Sequence, residues 1–312
     1  MLWSTLPAQI RSVATQTAAV LCLFLLACAE QSGAKPSARP TPSPVERPVE
    51  RIVSLSPAAT EALFAVGCGK KLVLRDAWSD WPVEAKQVPA VAGFSPSAEA
   101  ILASRPDLVL VHFPPSNLRQ ALDGAQIRWL AFAPQSLEAV AESLQTIGKA
   151  CGQPAAGQQA AGKLRQEIAQ VQKAVSGQPK VRVFYEMDAS DPNKPYTVAS
   201  GSFGHDVLET AGGSNVFGAA SVPWLQVTTE AVLQADPDLI VLADSDAELQ
   251  PQTPEMVAAR PGWSALRAVQ SRAVVSVPGN LLGRPGPRIG AGLRILAAKL
   301  HPSLAPVLEA QP

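Results

Sequence analysis

Ser202, His205 and Asp206 lie within five residues of one another and carry the side-chain types of a nucleophile, a base and an orienting acid. No G-x-S-x-G elbow surrounds the serine, so its hydroxyl is not presented on the strained strand-to-helix turn that attack requires. At the head of GSFGHDVLET the three residues read instead as an N-cap and a polar first helical turn. The three histidines, His112, His205 and His301, are scattered and none has a zinc-type spacing. No phosphate-cradling glycine pattern follows a strand. These residues predict no catalytic centre and no metal centre. A hydrolase acting through Ser202 or His205 is the one enzyme reading they leave open.

The aromatic residues point to binding. The chain has six Trp, two Tyr and eight Phe, and several stand in loops that follow strand-like runs. Trp78 and Trp81 occupy AWSDWP, Phe94 follows Ala92-Gly93, and Phe113 follows LVLVH ahead of two prolines. Tyr196 ends the polar turn DPNKPYT, and Trp224 lies in SVPWLQ. Large side chains at the carboxyl edge of a sheet are placed to line a crevice, and together they favour a large flat ligand. Trp129 and Trp263 read as core or helix-packing residues.

The elements that must hold these loops form a repeat. EAILASRPDLVLV begins at Glu99 and EAVLQADPDLIVL at Glu230, 131 residues later. Each reads as a short helix, a Pro-Asp turn and an apolar run without polar alternation, which suits a strand buried on both faces of a parallel sheet. Further strands are predicted at 51–55, 72–74, 127–131, 181–186 and 273–277, with helices near 204–210 and from about 287 to 300. Ser56-Pro57 makes a good helix start. Residues 154–176 are rich in Ala, Gln, Lys and Glu and predict one long helix of roughly 30 Å. The expected class is α/β: two Rossmann-like lobes, 51–152 and 178–312, joined by a single backbone helix over 153–177. A stiff helical joint predicts limited closure.

Composition is compatible with this. The 312 residues are 47% hydrophobic, and 26 basic residues balance 26 acidic ones, so no basic excess points to nucleic acid. Arg11 precedes the apolar run Ala18–Ala27, which ends at Leu25-Leu26-Ala27-Cys28. This reads as a secretory signal over 1–28 closed by a lipobox, with Cys28 lipidated as the mature N-terminus. Residues 29–50, rich in Pro, Ser and charge, read as an extended tether. A membrane is met only through that lipid. With Cys22 and Cys28 in the signal region, Cys68 and Cys151 remain for an oxidising compartment, where they can form one disulfide if the fold brings them together.

The blocks RIVSLSPAATEALFAVG, SDWP, AEAILASRPDLVLV, GSFGHDVLETAGGSNVF, VPWLQVTTEAVLQADPDLIVL and GRPGPRIG, over about residues 50–300, resemble class III periplasmic binding proteins. These are the substrate-binding components of ABC importers for cobalamin, haem and iron–siderophores, and the likeness is greatest to the cobalamin-binding branch. The resemblance implies no reaction and no cofactor beyond the cargo, a corrinoid or other metal chelate. It implies aromatic walls from Trp78, Trp81 and Trp224, with Phe94 and Tyr196 where relatives also place aromatics and Phe113 alongside. It implies that Arg284 reaches ligand side chains. Asn280 stands where a cobalamin-binding relative has an acidic residue, and Ala211 replaces one of a pair of cysteines. For haem, Tyr196, His112 or His205 would be the iron ligand; for an anionic siderophore, Arg284 and Arg75 would be the contacts. Glu99 and Glu230, one per lobe, would dock on arginines of the two transmembrane subunits. The plainer account of each glutamate is a favourable charge in a first helical turn.

Overall fold

The computed structural model describes residues 48–92, 96–247 and 250–310. The signal segment with Cys28, most of the tether, and Phe94 lie outside the described residues. Val49, expected in the tether, is buried against the first core.

Burial on alternate faces decides how the first strands are laid. β1 (Ile52–Leu55) leads through α1 (Pro57–Ala65) to β2 (Leu72–Asp76) and a two-residue β3 (Ala90–Val91). α2 (Ala98–Ala103), β4 (Leu108–Val111), α3 (Ser116–Gly124), β5 (Arg128–Ala131) and α4 (Leu137–Ala150) follow. The sheet is parallel in the order β3-β2-β1-β4-β5, so the chain reverses its direction of growth between β1 and β4. Ser56 caps α1 and Pro57 occupies its first turn.

α5 (Pro154–Val175) is the predicted long helix, 22 residues. It buries Gly157, Ala161, Leu164, Ile168 and Val171, a stripe at alternating spacings of four and three. Neither Gly148 of α4 nor Gly157 has room for a side chain: a Cβ on Gly148 would stand 2.7 Å from the Gly157 Cα, and one on Gly157 2.9 Å from the Leu144 carbonyl oxygen, so the two helices touch through glycine backbones.

The second sheet comprises β6 (Val181–Glu186), β8 (Gly213–Asn215), β10 (Leu239–Leu242) and β11 (Val274–Ser276), parallel in the order β11-β10-β6-β8. Between them come α6 (Phe203–Thr210), α7 (Thr229–Ala235), α8 (Pro254–Ala258) and α9 (Arg267–Gln270). β7 (Tyr196–Val198) and β9 (Trp224–Gln226) form an antiparallel ribbon that no periodicity announced, since three residues are too few to show one. α10 (Gly279–Leu282), α11 (Ile289–Leu300) and α12 (Ala305–Glu309) close the chain.

The repeat is the same corner of both sheets. β4 sits beside β1 as β10 sits beside β6, on the far side of each reversal. Arg51 and Arg182, also 131 apart, each donate a side-chain hydrogen bond to the end of the repeated helix, at Ser104 and Ala235. Asp107 and Asp238 each accept from the backbone N–H of that arginine. Arg105 and Asp236 both turn into the left-handed region, at φ 48° and 39°.

Alternation then divides the cores. Ile52, Leu108, Leu110, Val183, Tyr185, Leu239 and Val241 face one core that also takes in α5, so it is continuous between the lobes. Val53 and Val109 face a separate core with Ile101 of α2, and Phe184 and Ile240 one with Val232 of α7 and Trp263. Cys68 and Cys151 are joined by a disulfide, Cα atoms 6.4 Å apart, tying the ends of α1 and α4. Closing so long a loop is worth typically ~2–4 kcal/mol.

Candidate functional site

In open parallel sheets ligands bind beyond the carboxyl ends of the strands, where the order reverses. Both lobes present that edge to one cleft. On the first lobe, Leu55 and Ser56 end β1, Asp76 ends β2, and Val111 and His112 end β4; all line a cavity of about 420 Å³. Trp78 and Phe113 form its aromatic walls, and Gly283, Arg284 and Pro285 from the second lobe complete it. A second cavity of about 290 Å³ is lined by Tyr185 and Met187 at the end of β6, by Val198, Phe203 and Trp224, and by Pro134 and Gln135 from the first lobe. His112, Gly283 and Pro285 border both. The two cavities are adjoining halves of one inter-lobe cleft.

The walls are held by specific bonds. Asp76 is 1% exposed; its Oδ1 accepts from the Trp78 backbone N–H at 2.9 Å, and its Oδ2 from the Ser79 hydroxyl at 2.5 Å. Ser79 continues a buried hydroxyl chain to Thr60 and Ser54. This network fixes the start of the Trp78 loop under the first cavity. Trp224 faces Val198 across the ribbon, while Tyr196 pairs with Gln226, which puts all four side chains on one face.

Thus the cleft gathers Trp78, Phe113, Trp224 and Arg284. Trp81 and Tyr196 line neither cavity, although both are exposed, at 48% and 39%. Trp81 lies beneath the Arg288 guanidinium, 4.8 Å from its ring centroid. Arg284 is not a free cation: its Nη1 donates to Asp80 at 2.7 Å and lies 3.6 Å from Glu61. Burial raises the Asp80 carboxyl, but the Arg284 hydrogen bond and charge outweigh it and hold it below its ordinary range. His112, a candidate iron ligand, borders both cavities, while Tyr185 and Met187 are cleft residues that the sequence reading does not pick out. The signal was present, because each sits at the carboxyl end of a run already read as a strand.

The catalytic-looking trio does not converge. Ser202 caps α6, accepting from the His205 N–H and donating to the Ala199 carbonyl. His205 meets Asn215, and Asp206 accepts from the Leu137 N–H at the start of α4 in the other lobe, at 2.7 Å. Among the described residues no group of three or more His, Cys, Asp or Glu side chains could hold a metal ion.

Glu99 and Glu230 are both fully exposed in the first turns of α2 and α7, helices on equivalent faces of the two sheets. The Ser97 hydroxyl and its own backbone N–H hold the Glu99 carboxyl below the usual glutamate range; Glu230 is lowered by its own N–H and the Thr228 hydroxyl. Glu255, capped by Thr253 on α8, has the same local arrangement outside the repeat.

A two-lobed α/β receptor with its cleft at both switch points is the architecture of a substrate-binding protein. The periplasmic binding protein family model matches residues 52–281, and the chain belongs to that family. The chain is 30% identical over 259 residues to an uncharacterized ABC transporter substrate-binding lipoprotein, YvrC, of Bacillus subtilis, covering 80% of each. It is 31% identical over 248 residues to the vitamin B12-binding protein of Vibrio cholerae, covering 76% of this chain and 84% of that one. The solved structure of the periplasmic vitamin B12-binding protein BtuF of Vibrio cholerae superposes with a TM-score of 0.70 at 28% identity, covering 85% of this chain and 99% of that one. These homologues are substrate-binding transport proteins rather than enzymes.

Proposed function

We propose that this chain is the lipid-anchored receptor of a cobalamin-type ABC importer, capturing a corrinoid between its lobes and handing it to a pair of transmembrane subunits. The observation that carries the reading is the cleft itself: Trp78 and Phe113 at the carboxyl edge of the first sheet on one side, and Trp224 on the ribbon of the second lobe on the other. Flat aromatic walls suit a macrocycle, which buries two broad faces. Similarity to vitamin B12-binding proteins supports the same cargo. Lipidation at Cys28 rests on the lipobox, and a relative described as a lipoprotein agrees with it.

A second reading, haem, is favoured by His112. Its Nδ1 lies 2.9 Å from the Phe132 carbonyl, which can only accept, so Nδ1 carries the proton. In the neutral ring Nε2 then carries the lone pair, on a residue that borders both cavities, the arrangement in which an imidazole ligates a metal. Titration of the soluble protein with cyanocobalamin, haemin and ferric siderophores, followed by tryptophan fluorescence, tests both. Saturable quenching at micromolar concentration or below by cyanocobalamin, lost in Trp224→Ala, is expected. Quenching by haemin alone, with a Soret shift abolished in His112→Ala, selects haem. No response to any ligand rejects the receptor reading.

A further inference from the structure

One short segment of the second lobe is bound to the first by charge. Arg288 donates to both oxygens of Glu61 on α1, at 2.9 and 2.5 Å. Arg284 lies 3.6 Å from the same carboxylate and donates to Asp80. The Glu61 side chain is only 2% exposed. Gly286 sits against this contact: a Cβ there would be 3.3 Å from Glu61 Oε2 and 3.5 Å from the Ala58 backbone. A bidentate arginine pairing of this kind fixes orientation as well as distance.

The carboxylate lines neither cavity, yet it holds an arginine that does. Arg284 lines the larger cavity, and Arg288 covers the indole of Trp81. Trp81 is half-exposed and borders no cavity, and the cation above its ring is a contact that helps to place it. That cation in turn is held by Glu61.

We propose that Glu61 is a positioning residue for ligand capture: it holds the Arg284 guanidinium at the cleft wall and, through Arg288, fixes the neighbouring Trp81, without touching the ligand. This rests on the cleft being the ligand site, and its test separates the two ideas.

Protein labelled with 5-fluorotryptophan gives a fluorine resonance for Trp81, assigned by its loss in Trp81→Phe. In ligand-free Glu61→Gln this resonance shifts and broadens. Asp206→Ala, which removes the inter-lobe bond to the Leu137 N–H, leaves it in place. With the Arg284 guanidinium no longer held at the cavity wall by this charge, the Kd for cyanocobalamin or haemin is weakened roughly tenfold in Glu61→Gln. An unchanged Trp81 resonance in Glu61→Gln, or an equal displacement in Asp206→Ala, overturns the proposal. If Glu61→Gln does not fold, Arg288→Lys keeps the charge and loses the planar bidentate pairing. A folded Arg288→Lys protein with an unmoved Trp81 resonance overturns it as well. If wild type binds neither probe, the ligand reading fails, while the ligand-free resonance still decides the role of Glu61.

Discussion

At the scale of single residues, charge deep in the second lobe has a measurable consequence. Glu186, at the end of β6, is buried and accepts from Arg260 at 2.5 and 2.7 Å; Arg260 also reaches Gln252 and lies over Trp263. Asp244, beyond the end of β10, is 5% exposed, and neither of its carboxylate oxygens has a hydrogen-bond partner. One arginine cannot balance two buried carboxylates. Burial, and then the neighbouring Glu186 charge, push Asp244 up to about 7. The folded state therefore holds this proton more tightly than the unfolded chain, whose Asp titrates near 3.9. The folded-state penalty is absent below pH ~4, grows as pH rises to ~7, and stays constant above that. Asp244→Asn should remove it: urea denaturation is expected to find the variant more stable than wild type at pH 8, by on the order of 2 kcal/mol, with the gain vanishing near pH 4. An equal difference at both pH values would exclude this account.

At the scale of elements, one capped helix start recurs three times. α2, α7 and α8 each begin with a Ser or Thr cap and an acidic residue in the first turn, and each carboxyl is lowered. The cap chemistry alone therefore does not mark a docking site. What separates Glu99 and Glu230 from Glu255 is their place in the repeat, on the helix that packs behind the first strand past each reversal. Two equivalent acidic points suit a two-subunit channel. Glu99→Ala with Glu230→Ala is expected to abolish uptake in cells while leaving ligand affinity within about twofold, since neither residue lines the cleft. Glu255→Ala, which loses the same cap contact, should transport normally. Normal uptake in the double variant would remove docking and leave helix stabilisation.

At the scale of the whole molecule, the lobes have little freedom to move. α5 is continuous, one core passes beneath it from sheet to sheet, and polar bonds cross between the lobes at Glu61–Arg288 and at Asp206 with the Leu137 N–H. Opening the cleft would break these together, and Glu61 would be left charged and buried. Ligand binding should accordingly change the radius of gyration by less than about 1 Å in small-angle scattering. A larger contraction would mean that the crossing contacts yield.

Much of this was legible in the sequence because it is local. The apolar runs at 108–111 and 239–242, the Pro-Asp turns, the Ser56-Pro57 start and the helix-forming composition of 154–175 are set by neighbours a few residues apart. The repeat could be read for the same reason, and with it the two lobes and the paired glutamates. The aromatic loops were visible as types, but not which of them line the cleft. That Trp78, Phe113 and Trp224 line it while Trp81 lies under Arg288, that Arg284 is already paired, and that Cys68 meets Cys151 depend on residues from 83 to 227 positions apart. Such pairings carry no periodicity, because chain folding and not chain order brings them within reach. The sequence by itself determined the main strands, the long helix, the duplicated corner and the kind of side chain in the loops that follow the strands. Only the tertiary structure decided which of those side chains share a cleft and which are held away from it by charge.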